Sequence, residues 1–325
     1  MQGRKLFAAA ALTATALVPA AALAEYPERD IRVVVPWGAG GGTDGIVRKI
    51  TNIAENEFED ASMYVENIEG GVSATGVGQV MSARADGYTI AALTYDSIVT
   101  VPYQDMLPTY SMDKLKLIAR ITSEPDAIIV DADSDYENLQ DLLDAAQDDP
   151  GQVRVAVQNL GGRVHLTLLQ LQNLTDTEFK IVSYPGGAAP QKEAILSDEV
   201  DVALTSLGDF ANLIDDGTVR GLVEFSTAKN PTYDVPTAPE AGVDLQNGSF
   251  IVFAAPADTP DEAITALESA YQAAYESDEF QNWVAEIGVT PNWLGTDEVT
   301  QWAEETAQGL FDEMDALKEA GVLSE

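Results

Sequence analysis

The sequence predicts an α/β protein of two lobes, a type II binding-protein architecture in which each lobe is a mostly parallel sheet flanked by helices and two crossover strands form the hinge. Three observations predict it. Short β-branched runs alternate with stretches of helical period, which in one chain means βαβ units and parallel strands covered on both faces. Glycine-rich loops follow several of these runs, at the strand ends where open parallel sheets bind ligands. Two Pro- and Asp-rich passages, "ITSEPDAIIVDADSDY" near residue 125 and "NPTYDVPTAPEAGVDLQNGSF" near residue 245, adjoin the apolar runs "AIIV" and "FIVFAAP". A chain that leaves one lobe, builds another and returns would carry these runs across the boundary. The first lobe is expected over 25–124 and 248–325, the second over 125–247.

The elements follow in order. Residues 1–24, "MQGRKLFAAAALTATALVPAAALA", join Arg4 and Lys5 to an apolar run and an Ala22-Leu23-Ala24 site. This is the pattern of a secretory signal peptide cleaved near Ala24, so a periplasmic location is expected. "IRVVV" reads as a buried strand, and "GIVRKITNIAENEF" sets Ile46, Ile50 and Ile53 on one helical face. "MYVEN" and "YTIAALT" are the next strands, with a helix opening at "EGGVSATGVGQVMSA" between them. The unit then recurs as strand, loop and helix in "QVRVAVQNLGGRVHLTLLQLQ", "FKIVSYPGGAAPQKEAIL" and "VDVALTSLGDFANLI". The tail is helical and packs outside the first lobe, with Tyr271, Tyr275, Phe280 and Trp283 as packing residues.

Composition narrows the function classes. The chain has 54 acidic and 17 basic residues, a formal net charge of −37, one histidine and no cysteine. Such a field repels nucleic acid and anionic membranes, so neither is an expected partner, and self-repulsion favours a monomer. No disulfide is possible. The charge also suggests a saline exterior, as for an exported protein of a halophilic or marine bacterium. Its unfolding midpoint should then rise from dilute buffer to molar salt, where the screening length is roughly 3 Å.

Catalysis has little to stand on. Without cysteine, thiol chemistry is excluded, and His165 is better placed to hydrogen-bond its own loop than to act as a base. No His/Cys spacing suits a metal, and no catalytic residue, metal or cofactor is expected. Gly40, Gly42 and Gly45 do satisfy G-x-G-x-x-G, with Glu66 closing the next strand, which leaves an exported nucleotide-dependent enzyme as an alternative. Against it, Pro36 to Ala39 lengthen the turn, no G-K-[ST] follows, and export removes the protein from the cytoplasmic NAD pool.

An anion receptor fits better. Gly38, Gly40, Gly41, Gly42 and Gly45 crowd a single turn, where successive N–H groups converge and a helix beginning near Thr43 adds its positive end. A carboxylate is the natural guest. Gly161 and Gly162, and Gly186 and Gly187, form comparable loops on the second lobe, facing the first across a cleft that closes on the ligand.

With these residues in hand, the chain resembles the extracytoplasmic solute receptors of tripartite tricarboxylate transporters, the Bug receptors. The likeness runs through "YPERDIRVVVPWGAGGGTD", "VENIEGGVSATG" with "ARADGYTI", "GGRVHL", "VSYPGGAAP" with "EVDVAL", and "DVPTAPEAGV" with "APADTP", in that order along nearly all of the mature chain. The resemblance implies a small-carboxylate ligand and the permease subunits of a membrane transporter as partners. It assigns the first binding loop to Trp37, Gly38, Gly40, Gly41, Gly42, Thr43 and Asp44. The loops of the second lobe are Asn159 through Arg163, including Gly161, and Tyr184 through Gly187, including Gly186.

Asp44 beside an anion site is better explained by the helix dipole, and Arg163 is either a carboxylate clamp or a solvated counterion. Gln158 and Asn159 stand where many relatives have hydroxyls. Thr94, Tyr95, Ser97, Thr205, Ser206 and Asp209 follow strands and are candidates for the cleft wall, with Asp209 relevant mainly to a ligand that carries an amine. Tricarboxylates, dicarboxylates, aromatic acids and amino acids all remain open as ligands, and a ligand-binding sensor that signals by the same closure is the alternative to transport.

Overall fold

A computed structural model describes residues 26–185, 187–319 and 321. The leader and the candidate Gly186 lie outside these residues.

The strands are β1 (Ile31–Val35), β2 (Met63–Asn67), β3 (Thr89–Leu93), β4 (Leu115–Asp131), β5 (Arg154–Val157), β6 (Lys180–Ser183), β7 (Val202–Ser206), β8 (Val219–Glu224), β9 (Gly248–Pro256) and β10 (Pro291–Leu294). The helices are α1 (Gly42–Ala54), α2 (Ala74–Met81), α3 (Val101–Tyr103), α4 (Leu139–Asp148), α5 (Arg163–Thr175), α6 (Ala188–Leu196), α7 (Ala211–Asp215), α8 (Asp261–Glu276), α9 (Asp278–Glu286) and α10 (Thr296–Glu319). The sheet runs β2-β1-β3-β9-β4-β7-β5-β6, with β8 and β10 also paired to β4.

The βαβ units are parallel as the alternation predicts: β1 with β2 and β3, and β5 with β6 and β7. The crossover strands run antiparallel to them, so the sheet as a whole is mixed. The strand β4 spans 17 residues and serves both lobes. Its first part, Leu115 to Pro125, pairs β9, whereas Asp126 to Asp131 pair β7 and β8.

Continuous apolar strands are explained by cover on both faces. In β1, Val33 and Val35 pack with Ile46 and Ile50 of α1, while Val34 packs on the other side with Val77 and Val80 of α2. In β7, Val202 and Leu204 join Leu142 of α4 and Leu168 of α5, and Ala203 faces Ala194 and Ile195 of α6. The tail helices cover the first lobe, where Tyr271 stacks on Phe253 with centroids 3.9 Å apart and Phe280 is fully buried. Tyr275 and Trp283 pack against the same cluster as partly buried neighbours.

Candidate functional site

The carboxyl ends of the parallel strands converge on one small cavity of about 60 Å³ between the lobes. The turn after β1 supplies Trp37, Gly38, Gly41, Gly42, Thr43 and Asp44, and the turn after β3 supplies Thr94 and Asp96. From the second lobe come Gln158 and Arg163 after β5, Gly187 and Ala188 after β6, and Ser206 and Asp209 at the end of β7 and beyond it. Glu124 of β4 and Ser249 of β9 close the back. A larger groove of about 470 Å³ lies beside α10, bordered by Phe225, Asn247, Glu305 and Glu313. None of the glycine loops reaches it, so size alone does not locate the site.

Three helices begin at the cavity. Gly41 holds the N-cap position of α1 in extended conformation, and no side chain caps it. The Gly45 N–H donates to the Gly41 carbonyl at 3.0 Å, which leaves the N–H groups of Gly42, Thr43 and Asp44 without partners inside the helix. Thr43 is therefore inside the helix and is not the cap. Glycine is required at two positions of this loop. Gly40 has φ +84°, and a Cβ on Gly42 would lie 2.6 Å from Asp209 Oδ1 of the other lobe.

The loop is held from behind by Asp44. Its carboxylate accepts hydrogen bonds from the Gly40 N–H at 2.8 Å, Arg48 Nε at 2.8 Å and Asn67 Nδ2 at 2.9 Å. Burial opposes the Asp44 charge, but the bonds from Arg48, Gly40 and Asn67 outweigh it and hold the carboxyl below its ordinary value. Asn67 Nδ2 also reaches the Trp37 carbonyl at 2.9 Å, and Trp37 Nε1 donates to Thr94 Oγ1 at 3.2 Å. Asp44 is thus a strut of the binding loop, both of its oxygens already accepting from the protein.

On the second lobe, α5 begins at Arg163 with Gly162 at its cap and no cap from its own side chains. The cap comes from the opposite lobe. Asp96 Oδ1 accepts the Arg163 N–H at 3.2 Å and the Thr100 hydroxyl at 2.6 Å. Burial raises the Asp96 carboxyl despite those donors. Arg163 is only 7% exposed and forms an ion pair with the fully buried Asp126 of β4, whose other oxygen accepts from Thr167 Oγ1 at 2.7 Å. Arg163 is therefore not a solvated counterion, and its charge is already engaged within the protein.

Further bonds cross between the lobes, from Gln104 Nε2 to the Gly161 carbonyl at 2.7 Å and from Gln170 Nε2 to Glu313 Oε2 at 2.8 Å. The cleft is closed.

Of the residues that sequence reasoning nominated, Trp37, Gly38, Gly41, Gly42, Thr43, Asp44, Thr94, Arg163 and Asp209 line the cavity. Six others do not. Gly40 shapes the loop. Ser97 is a buried layer behind Thr94, donating to Ser73 Oγ at 3.1 Å. Thr205 donates to Asp209 Oδ2 at 2.5 Å and orients it. Asn159 and Gly161 shape the turn before α5: Gly162 N–H donates to the Asn159 carbonyl at 3.1 Å, and Gly161 N–H to His165 Nδ1 at 2.9 Å. His165 is thus a loop brace, its pKa lowered by burial. Tyr184 packs, partly buried, against the cluster of Ala188, Ala194 and Ile195; its hydroxyl donates to Glu199 Oε2 at 3.2 Å and its N–H to the Val157 carbonyl at 2.8 Å. Among the residues that reasoning missed, Asp96 and Glu124 matter most. In so acidic a chain no local signal separates them from the other carboxylates.

Glu124 is strongly perturbed. Burial and then the nearby Asp209 charge push its carboxyl up from 4.5 to about 7, against the hydrogen bond that Thr122 Oγ1 donates at 2.9 Å. The folded chain therefore holds this proton more tightly than the unfolded chain. The carboxyl costs stability increasingly between pH 4.5 and 7, and fully above pH 7. Because the side chain is partly exposed, Glu124→Gln should stabilise the ligand-free protein by about 2 kcal/mol at pH 8 and by almost nothing at pH 4. Urea unfolding at the two values checks this; equal effects at both would contradict it.

Two lobes on mixed sheets, closing over a cavity where helix N-termini meet, define a solute receptor. The family profile for the tripartite tricarboxylate transporter family receptor matches residues 46–311, and the chain belongs to that family. It is 24% identical to protein BugT of Bordetella pertussis over 290 residues, covering 86% of this chain and 88% of that one. Its fold is similar to that of the periplasmic binding protein BugD, with a TM-score of 0.81 and 25% identity, covering 92% of this chain and all of BugD. It is likewise similar to Rpa4515 of R. palustris solved with adipate, with a TM-score of 0.83 and 25% identity over 91% of this chain and 99% of that one. Among the described residues no helix is long and apolar enough to cross a membrane, and no group of three or more acidic or histidine side chains could hold a metal.

Proposed function

We propose that this chain is a periplasmic receptor that captures a small carboxylate between its lobes and delivers it to the permease subunits of a tripartite tricarboxylate-type transporter. It acts as a monomer and performs no chemistry on its ligand. One observation carries the reading: the uncapped N-terminus of α1, with the N–H groups of Gly42 and Thr43 unused within the helix, opens into the interlobe cavity. Donors of this kind contribute roughly 1.5–3 kcal/mol each to an ionised group, enough for a reversible carrier. The adipate bound by Rpa4515 and membership of the receptor family support the same ligand class.

The lobes are 25–124 with 248–325, and 125–247, hinged on β4 and β9. Bonds such as that from Gln104 to Gly161 form only on closure, so a ligand that favours the closed form shifts the population towards it. The cavity of about 60 Å³ in the closed form is far too small for a dinucleotide.

The test is a thermal-shift screen of monocarboxylates, dicarboxylates, tricarboxylates, aromatic acids and amino acids on the purified chain. At a hundredfold excess over Kd, a true ligand stabilises the folded form by about 2.7 kcal/mol, which moves the melting point by several degrees. Protection by NAD in place of any carboxylate would contradict the proposal.

A further inference from the structure

The acids around the cavity outnumber the positive groups available to balance them. Asp96, Glu124 and Asp209 all line it. None forms an ion pair among the described residues, because Arg163 is taken by Asp126 and Arg48 by Asp44. The positive ends of α1, α5 and α6 are the remaining partial charges at the cavity, roughly half a unit each, and burial still raises the carboxyls of Asp96 and Glu124. A dicarboxylate would add two negative charges to a space of about 60 Å³ already lined by three acids without an ion-pair partner.

The hydrogen bonding points the same way. Asp209 uses Oδ2 to accept from Thr205, and Glu124 uses Oε1 to accept from Thr122. Asp209 Oδ1 and Glu124 Oε2 accept no side-chain or main-chain hydrogen bond from the described residues. The two carboxylates are close enough that the Asp209 charge makes Glu124 harder to ionise. Asp209 Oδ1 also presses against Gly42, directly beside the N–H groups that would seat a ligand carboxylate.

We infer that the ligand carries a cationic nitrogen within one or two carbons of its carboxylate, and that Asp209, with Glu124, is the seat of that nitrogen. The inference rests on the carboxylate-receptor reading and sharpens it. The ligand carboxylate takes the N-terminus of α1, while the nitrogen donates to Asp209 Oδ1 and Glu124 Oε2 and balances their charge. An α-amino acid has this spacing; a plain dicarboxylate has no group for the second seat.

Matched pairs of probes test it: L-alanine against propionate, and L-aspartate against succinate, titrated calorimetrically into the wild type and Asp209→Asn at pH 8. The amino member of at least one pair should bind ten times or more tighter than its match. Asp209→Asn should weaken the amino member at least tenfold while leaving the plain acid equal or tighter. Preference for propionate or succinate in the wild type, unchanged by Asp209→Asn, would overturn the inference and leave the receptor reading intact. L-alanine methyl ester binding as tightly as L-alanine would instead overturn the carboxylate reading. Silence of both amino acids, with a plain acid from the wider screen binding, would also remove the inference. A separate readout needs no ligand: Asp209→Asn should raise the melting point of the free protein at low salt and pH 8, since it removes the charge that opposes ionisation of Glu124, and a lower melting point would count against the seat.

Discussion

Gly42→Val abolishes ligand-induced stabilisation while the protein stays folded. The residue opens α1, where the backbone is helical and valine is tolerated, so the folding cost is small. The space in front of it is another matter. A Cβ there would come within 2.6 Å of Asp209 Oδ1, and the two valine methyls would extend further into the cavity. The side chain would hold the lobes apart and cover the N–H groups that seat the anion. Affinity should fall at least a hundredfold, about 3 kcal/mol, in calorimetry with the best acid from the screen. Gly45→Ala is the control. It lies one turn on, exposed, and its Cβ would meet nothing within 4 Å. That variant should gain up to about 1 kcal/mol in stability and bind as the wild type does. Retained binding by Gly42→Val would move the site elsewhere.

Arg163→Met should produce the largest loss of stability. Methionine fills much of the same volume, but it leaves Asp126 fully buried without its cation. Breaking one side of a buried pair costs about 3–5 kcal/mol, a large share of the 5–15 kcal/mol that holds a domain together. The double variant Arg163→Met with Asp126→Asn should recover much of that loss, because no buried charge remains. The pair is shielded from solvent, so the loss should change little between dilute buffer and molar salt, unlike the repulsion among surface acids. Denaturant unfolding of both variants checks this, and a loss under 1 kcal/mol in the single variant would refute the structural role of the pair.

Much of the architecture was legible because it rests on local rules. Strands such as "IRVVV" and "VALTS" are apolar on successive residues since helices cover both faces, and the glycines at 40 and 42 stand where φ is positive and where the lobes touch. What could not be read depends on which distant residues meet. From sequence Arg163 is either a carboxylate clamp or a solvated counterion, whereas Asp126, on a strand distant in sequence, occupies it. Asp96 caps a helix of the other lobe, and no spacing rule connects residue 96 to residue 163. Tyr184 and Thr205 stand at strand ends near the rim, but the ring of one packs on an apolar cluster with its hydroxyl on Glu199, and the hydroxyl of the other serves to orient a neighbour.

The central claim is that unpaired main-chain amides at the start of α1 hold the ligand's carboxylate between closed lobes. A crystal structure with the tightest acid from the screen tests it most directly. The account predicts carboxylate oxygens about 3 Å from the N–H groups of Gly42 and Thr43, with Asp209 and Glu124 in the same cavity. A ligand in the groove beside α10, or one held chiefly by a metal ion, would contradict it.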